Sequence, residues 1–374
     1  MDRRTFLSAG AVAVAGAASA CSQPSDSEQT APAAPAVNRG RTRRLRMVTT
    51  WPNGFPGLGA AAERTAEYIG QMSGGALEVE VFGAGEIVGA FEVFDAVSNG
   101  TADMYHAAEY YWQGRSPAYN FFCAVPLGMT AQEIMAWVEY GGGQALWNEL
   151  AGQFNLIAFQ AGNTGHQMGG WFKREVNTLE DFRGLRMRIP GLGGAVIREL
   201  GGAAVALSGG EIYQSLQSGA IDATEWVGPW NDLAFGFYRE APFYYGPGFH
   251  EPGSALAVGL NLGVWESLPA DHQAVVRAAC RAANNQSLAE FTYQNGLALR
   301  TLTQEHGVQL RSFSDEIWRE VGRIAEQVVA DTANADPISR RVYDSYLEAR
   351  RIGRDWANVS EALYYQKREL VLGR

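Results

Sequence analysis

The stretch LRMVTTWPNGFPGLGAAAERTAEYIGQMSGGALEVEVF, Leu45 to Phe82, decides how the rest of the chain is read. Leu45 to Thr50 has the short, branched-residue pattern of a strand, Leu58 to Met72 the spacing of a helix, and Leu77 to Phe82 alternates as a strand again. A helix near Phe91 to Val97 and a strand at Ala102 to His106 extend this to βαβαβ. That order predicts a mostly parallel sheet covered by helices, hence an α/β fold.

The pattern recurs downstream. Strands are expected at Leu156 to Gln160, Leu185 to Ile189 and Ala203 to Leu207, with helices at Ala195 to Leu200 and near Ile212 to Leu216. A local echo ties the halves together. Gly85-Glu86-Ile87 leads through a helix to Asn99-Gly100-Thr101-Ala102-Asp103, and Gly210-Glu211-Ile212 leads through another to Ser218-Gly219-Ala220-Ile221-Asp222. In each, Gly closes a helix and Asp stands at the entry to a strand. Two α/β lobes built alike, with a cleft between them, account for the echo. Thr130-Ala131-Gln132-Glu133 is a capping box, and Asp336-Pro337 supplies an N-cap and a first-turn proline for a long terminal helix. In that helix Tyr346, Ala349, Ile352, Trp356, Val359 and Leu363 form an apolar stripe. The stripe packs either on its own lobes or against a second protomer.

With 374 residues, 47% of them apolar, the chain can bury a core of about two domains. Its formal net charge of −10, with lysine only at 173 and 367, argues against a nucleic-acid partner. An anionic ligand would need a specific cationic site. The Arg3-Arg4-Thr5-Phe6-Leu7 start, the Ala/Val/Gly run and Ala18-Ser19-Ala20 resemble a twin-arginine (Tat) export signal over 1–20, placing the mature protein in the periplasm. Cys21 offers a place for a lipid anchor, although Ala18 stands where a lipoprotein signal carries Leu. Residues 21–43 have linker composition. Cys123 and Cys280 show no metal or disulfide spacing and are expected as buried thiols.

Enzyme signatures are missing: the sequence has no Gly-x-Ser-x-Gly, His-Glu-x-x-His, Cys-x-x-Cys or P-loop, and its glycine clusters do not complete Gly-x-Gly-x-x-Gly. Only five histidines occur, of which His106, His166 and His250 fall where a cleft is expected. Binding chemistry is better represented. In Leu185-Arg186-Met187-Arg188-Ile189-Pro190 alternation puts both arginines on one strand face, and a guanidinium fork suits bidentate capture of a carboxylate.

Two motifs carry a family resemblance. Leu185 to Pro190 resembles the Gly-Leu-Lys-Ile-Arg-Val-Pro type motif of the substrate-binding proteins of tripartite ATP-independent periplasmic (TRAP) transporters, and Ser218 to Glu225 resembles their second recurrent block. The resemblance covers nearly all of the chain after residue 44. It implies a two-lobed periplasmic-binding-protein fold with a hinged cleft and a long C-terminal helix. The lobes are expected at 44–162 plus about 254–290, and at 163–253 plus about 291–336. For the helix 337–374 both alternatives stand, packing on its own lobes or a homodimer through it, and membrane permease subunits are the expected partners. By the resemblance Arg188 holds the ligand carboxylate. The chain has Glu225-Trp226-Val227-Gly228-Pro229-Trp230 where many relatives have Asn-Pro after the acidic residue, which looks like the TakP-like branch that binds 2-oxo or 2-hydroxy monocarboxylates, pyruvate among them, with a cation. This implies Glu225, the Trp226 carbonyl and Gln160 as cation ligands, with Na⁺ favoured over Ca²⁺ because one acidic ligand is evident. Trp51, Tyr111 and Trp230 are expected as aromatic walls near strand ends, and Asn163 as a polar contact. Asp222 is expected to fix its turn. The alternative is an exported enzyme acting on a carboxylic acid, with the cation as Lewis acid and His250 or Glu225 as base.

Overall fold

The computed structural model describes residues 42–373. The signal at 1–20, Cys21 and the linker up to residue 41 lie outside the described residues. These described residues form one compact unit. The described strands are β1 (Arg43–Thr49), β2 (Leu77–Phe82), β3 (Met104–Ala107), β4 (Leu156–Asn163), β5 (Gly170–Phe172), β6 (Arg186–Arg188), β7 (Ala203–Val205), β8 (Ala223–Thr224), β9 (Phe243–Tyr245), β10 (Ala255–Asn261) and β11 (Gln309–Arg311).

They form two sheets, of order β2-β1-β3-β10-β4 and β11-β9-β5-β8-β6-β7. The βαβαβ unit is parallel as expected: β1 pairs with both β2 and β3 in parallel. The sheets as wholes are mixed. β10 returns to the first sheet from the second and inserts antiparallel between β3 and β4, and β5 is antiparallel to β8 and β9. A strand that re-enters from the far lobe is not bound by the crossover rule that makes consecutive βαβ strands parallel.

The echo between the lobes is built with the same bonds. Gly100 and Gly219 both hold positive φ, 84° and 75°, where a side chain would be strained. Asp103 then accepts the Arg46 amide at 2.8 Å and returns its own amide to the Arg46 carbonyl. Asp222 does the same with Arg186, at 3.1 Å, and adds two guanidinium bonds. Each Asp thereby registers a strand of its sheet against its neighbour.

The helix Ala270–Gln304 has 35 residues, about 52 Å at 1.5 Å per residue. It packs on β4 and the Leu58–Met72 helix of the first lobe and on the Pro229–Phe235 helix of the second. The expected lobe boundary at 290–291 therefore falls inside an unbroken helix that both lobes share. The C-terminal helix is present as Pro337–Ala357, capped by Asp336, whose Oδ1 accepts the Ser339 amide at 2.7 Å. A turn separates it from Glu361–Leu372. Its first half, with Ile338, Val342 and Tyr346, joins the first lobe's core beside Phe121 and Trp137. Further along, Ile352, Trp356 and Val359 are 58%, 69% and 69% exposed, so the stripe packs on its own lobe only at its start.

Candidate functional site

Arg188 ends β6, and Arg186 begins it. Arg186 lies at the surface in its pair with Asp222, whereas Arg188 is 1% exposed. Its Nε donates to the Leu207 carbonyl at 3.1 Å, and its Nη1 donates to the Glu225 carbonyl at 2.9 Å and to Glu225 Oε1 at 2.5 Å. The guanidinium stands over the Trp226 ring, 5.0 Å from its centroid. Nη2 is buried and has no partner among the described residues.

Glu225, also 1% exposed, receives His250 Nε2 on its other oxygen at 3.3 Å. Glu225, His250 and Glu251 each offer a ligand atom, all within 4.8 Å of one another, and all three are buried. Burial disfavours the His250 imidazolium, but the hydrogen bond and charge of Glu225 outweigh it and the pKa is raised. Burial, reinforced by the Glu225 charge, pushes Glu251 up to about 7.

The loop bearing Glu225 and Trp226 is anchored from below. Asp232 accepts the Val227 amide, Trp171 Nε1 and the Tyr244 hydroxyl at 3.2, 2.9 and 2.7 Å. Burial pushes this carboxyl up to about 7 against those three donors.

Beside the charged cluster lies a small cavity of about 10 Å³ between the lobes. Trp51, Tyr110, Tyr111 and Trp226 form its aromatic walls, Leu58, Val227 and Leu256 its aliphatic ones, and Thr164, Gln167 and Ser254 its polar side. Trp51 meets Trp226 edge to face at 6.2 Å and is oriented by its Nε1 donating to His106 Nδ1 at 2.8 Å. Burial lowers the His106 pKa to about 3, so this imidazole is neutral. Across the cleft Phe55 stacks on Phe235 at 4.4 Å and Asn231 Nδ2 donates to the Pro56 carbonyl at 2.9 Å, so the lobes are closed on each other.

The structure brings Arg188, Glu225, Trp226, Tyr111 and Trp51 together. It places three other expected residues elsewhere. Gln160 lines a separate depression with Glu139 and with Cys280 and Arg281 of the shared helix. β4 runs on to Asn163, three residues past the expected end, so the chain turns into the cleft later, and the amide at the cavity is Gln167. Gln167 Nε2 donates to Thr164 Oγ1 at 3.0 Å, and its buried Oε1 has no partner among the described residues. Asn163 shapes the turn, its Oδ1 accepting the Gly165 amide at 2.8 Å. Trp230 packs on Phe291 of the shared helix, ring centroids 5.2 Å apart, and not on the cavity.

Sequence reasoning missed Gln167, Glu251 and Leu58. The signal for Gln167 was a polar side chain in the Thr164-Gly165 turn. For Glu251 it was a carboxylate adjacent to a histidine that was itself singled out.

A family model described as bacterial extracellular solute-binding protein, family 7 (DctP), matches residues 47–336. The chain belongs to that family. This solute-binding protein is 39% identical to the monocarboxylate 2-oxoacid-binding periplasmic protein all3028 of Nostoc sp., over 97% of this chain and 98% of that one. A crystal structure of a TRAP periplasmic solute-binding protein from Pseudoalteromonas atlantica with bound sodium and pyruvate superposes with a TM-score of 0.84, at 36% identity, covering 87% of this chain and 99% of that one. One from Bordetella bronchiseptica, a mixed-occupancy dimer with copurified calcium and picolinate, gives 0.86 at 33% identity, covering 89% and 99%. The two-lobed α/β fold is thus that of TRAP solute receptors.

Proposed function

We propose that this receptor binds a small 2-oxo monocarboxylate such as pyruvate together with a cation in the closed interlobe cavity, and delivers it to the membrane subunits of a TRAP transporter. One observation carries the reading. Arg188, stacked over the Trp226 ring that lines the cavity, has Nη2 without a partner among the described residues, and the buried Oε1 of the lining Gln167 and the buried Oε2 of Glu251, whose backbone carbonyl accepts the Gln167 amide, have none either. Buried polar atoms are costly unless something satisfies them. A carboxylate accepts from Nη2, and a hard cation takes oxygens.

The donor set fits such a cation. Glu225, the Trp226 carbonyl and Gln167 would hold it, with Gln167 in the role expected of Gln160. When bound, the cation supplies positive charge against the ligand's carboxylate and 2-oxo oxygens. The residues themselves orient the anion and exclude water. Na⁺ remains the favoured ion with Ca²⁺ as the other candidate, in keeping with the sodium and calcium of the related structures.

No turnover belongs to this reading. The site holds an anion and lets it go. Export by the Tat-like signal would place the protein in the periplasm. The exposed Ile352, Trp356 and Val359 face supports pairing with a second copy through the C-terminal helices, as does the dimer described for the Bordetella relative.

Calorimetric titration of metal-stripped protein with pyruvate, with and without Na⁺ or Ca²⁺, tests the reading. Binding that needs the cation is expected. Equal affinity in metal-free buffer, or conversion of pyruvate to a new compound, would overturn it.

A further inference from the structure

We propose that Leu127 is a positioning residue of the ligand site: its left-handed backbone carries its amide onto the Phe249 carbonyl and so sets the segment that bears His250 and Glu251. For its ligand the proposal rests on the receptor reading above. The segment 246–254 runs from β9 in the second sheet to β10 in the first. Two other stretches of chain strap it by backbone hydrogen bonds. In one, the Gln167 and Thr164 amides donate to the Glu251 and Ser254 carbonyls, each at 3.0 Å. In the other, the Leu127 amide donates to the Phe249 carbonyl at 2.8 Å, and the Cys123 carbonyl accepts the Ala255 amide at 3.1 Å. The backbone of Thr130 and Ala131 lies so close to Gly253 that a Cβ there would overlap it.

Leu127 makes its bond from an unusual conformation. Val125-Pro126-Leu127-Gly128 closes as a β-turn, the Gly128 amide donating to the Val125 carbonyl at 3.0 Å. Proline at the second position and a φ of +52° at the third make it a type II turn, whose third position is ordinarily glycine or asparagine. A leucine holds that conformation against steric strain. Its side chain gains little in return, being 39% exposed. What the turn secures is backbone. The Leu127 carbonyl accepts Arg350 Nη1 at 3.2 Å, and the Met129 amide donates to the Tyr346 hydroxyl at 2.7 Å. Gly128 leaves no room there, since a Cβ would stand 2.5 Å from that hydroxyl. The Pro337–Ala357 helix thus holds the turn, and the turn holds the segment of His250 and Glu251. A residue that resists positive φ would swing the Leu127 amide away from Phe249.

The test compares Leu127→Asn, Leu127→Gly and Leu127→Ile with wild type. Pyruvate is titrated with saturating Na⁺, and hydrogen–deuterium exchange of the peptide spanning 246–254 is followed in ligand-free protein. Isoleucine, branched at Cβ, tolerates positive φ worst. Leu127→Ile should weaken pyruvate binding roughly 5- to 30-fold, the equilibrium equivalent of left-handed strain, and speed exchange in 246–254. Asparagine and glycine, which suit the turn, should bind at least as tightly as wild type and keep its exchange. A packing role predicts the reverse order, with isoleucine nearest wild type and glycine worst. That order, or affinity and exchange both unchanged in Leu127→Ile, overturns the proposal. If Leu127→Ile does not fold, weaker binding by the asparagine and glycine variants overturns it instead. Failure of wild type to bind pyruvate refutes the receptor reading, and the exchange of 246–254 still decides the role of Leu127.

Discussion

Replacing Arg188 by lysine separates the arginine's charge from its fork. In the native site the guanidinium is committed on three of its donor positions, to the Leu207 carbonyl, the Glu225 carbonyl and Glu225 Oε1, and among the described residues Nη2 has no partner. A lysine retains one positive charge against the buried Glu225 but concentrates it at a point, and with three N–H donors it cannot both replace those bonds and present a fourth. The ligand would lose one charge-assisted hydrogen bond. At roughly 1.5 to 3 kcal/mol that weakens Kd about 10- to 150-fold. Arg188→Ala is the harsher comparison. It leaves Glu225 buried with only His250 as partner, and breaking a buried pair costs about 3 to 5 kcal/mol of stability, so its melting temperature should fall clearly while that of Arg188→Lys falls little. Calorimetry with pyruvate and a thermal melt on both variants give the two readouts. Wild-type affinity in Arg188→Lys would refute the assignment of Nη2 to the ligand. Wild-type melting in Arg188→Ala would refute the structural share given to the ion pair.

Gln167→Leu should weaken cation-dependent pyruvate binding by about 10-fold, the worth of one lost ligand-directed bond, while Gln160→Leu leaves it unchanged; the opposite pattern in titration would return the role to Gln160. Glu109, which accepts the Tyr105 hydroxyl at 2.8 Å, has its pKa pushed by burial from 4.5 to about 8. A carboxyl raised in the folded state favours folding while protonated and loses that contribution as pH rises through the folded value, so Glu109→Gln should gain stability over wild type between pH 5 and 8, by on the order of 5 kcal/mol at full ionisation. Melting curves of the two proteins that stay parallel across that range would sink this. Trp356→Glu should turn a dimer into a monomer in light scattering; a wild-type protein already monomeric at tens of micromolar would end the dimer reading.

How far the sequence could be read depended on how local each signal was. The helix Leu58–Met72 and the strand β2 came out to the residue because periodicity and the flanking glycines agree over a long run. β5, β9 and β11 have three residues each, too few to show a period, and they exist only because partners elsewhere in the chain pair with them. The site divides the same way. Arg188 and Glu225 lie in compact motifs, and their contact follows from the pairing of β6 with β8. Gln167 was displaced from the expected Gln160 by three extra strand residues, a boundary error of the ordinary size. Trp230 was expected at the cavity from its nearness to Trp226 in sequence, but it sits at the start of the Pro229–Phe235 helix, which carries it onto Phe291. The contact of His250 with Glu225 joins residues 25 apart and has no local pattern to announce it.

The shared helix Ala270–Gln304 also bears on how a ligand gets out. Long helices curve with radii of roughly 60 to 100 Å at little cost. Over a length of about 52 Å that curvature amounts to a bend of about 30 to 50° without the loss of a backbone hydrogen bond. The helix can act as a leaf spring clamped to both lobes, taking up the opening as distributed flexure along its whole length. Release of the ligand then needs no single weak joint in it. The stiffness of the spring, set by side chains far from the ligand, becomes a determinant of how long the ligand stays.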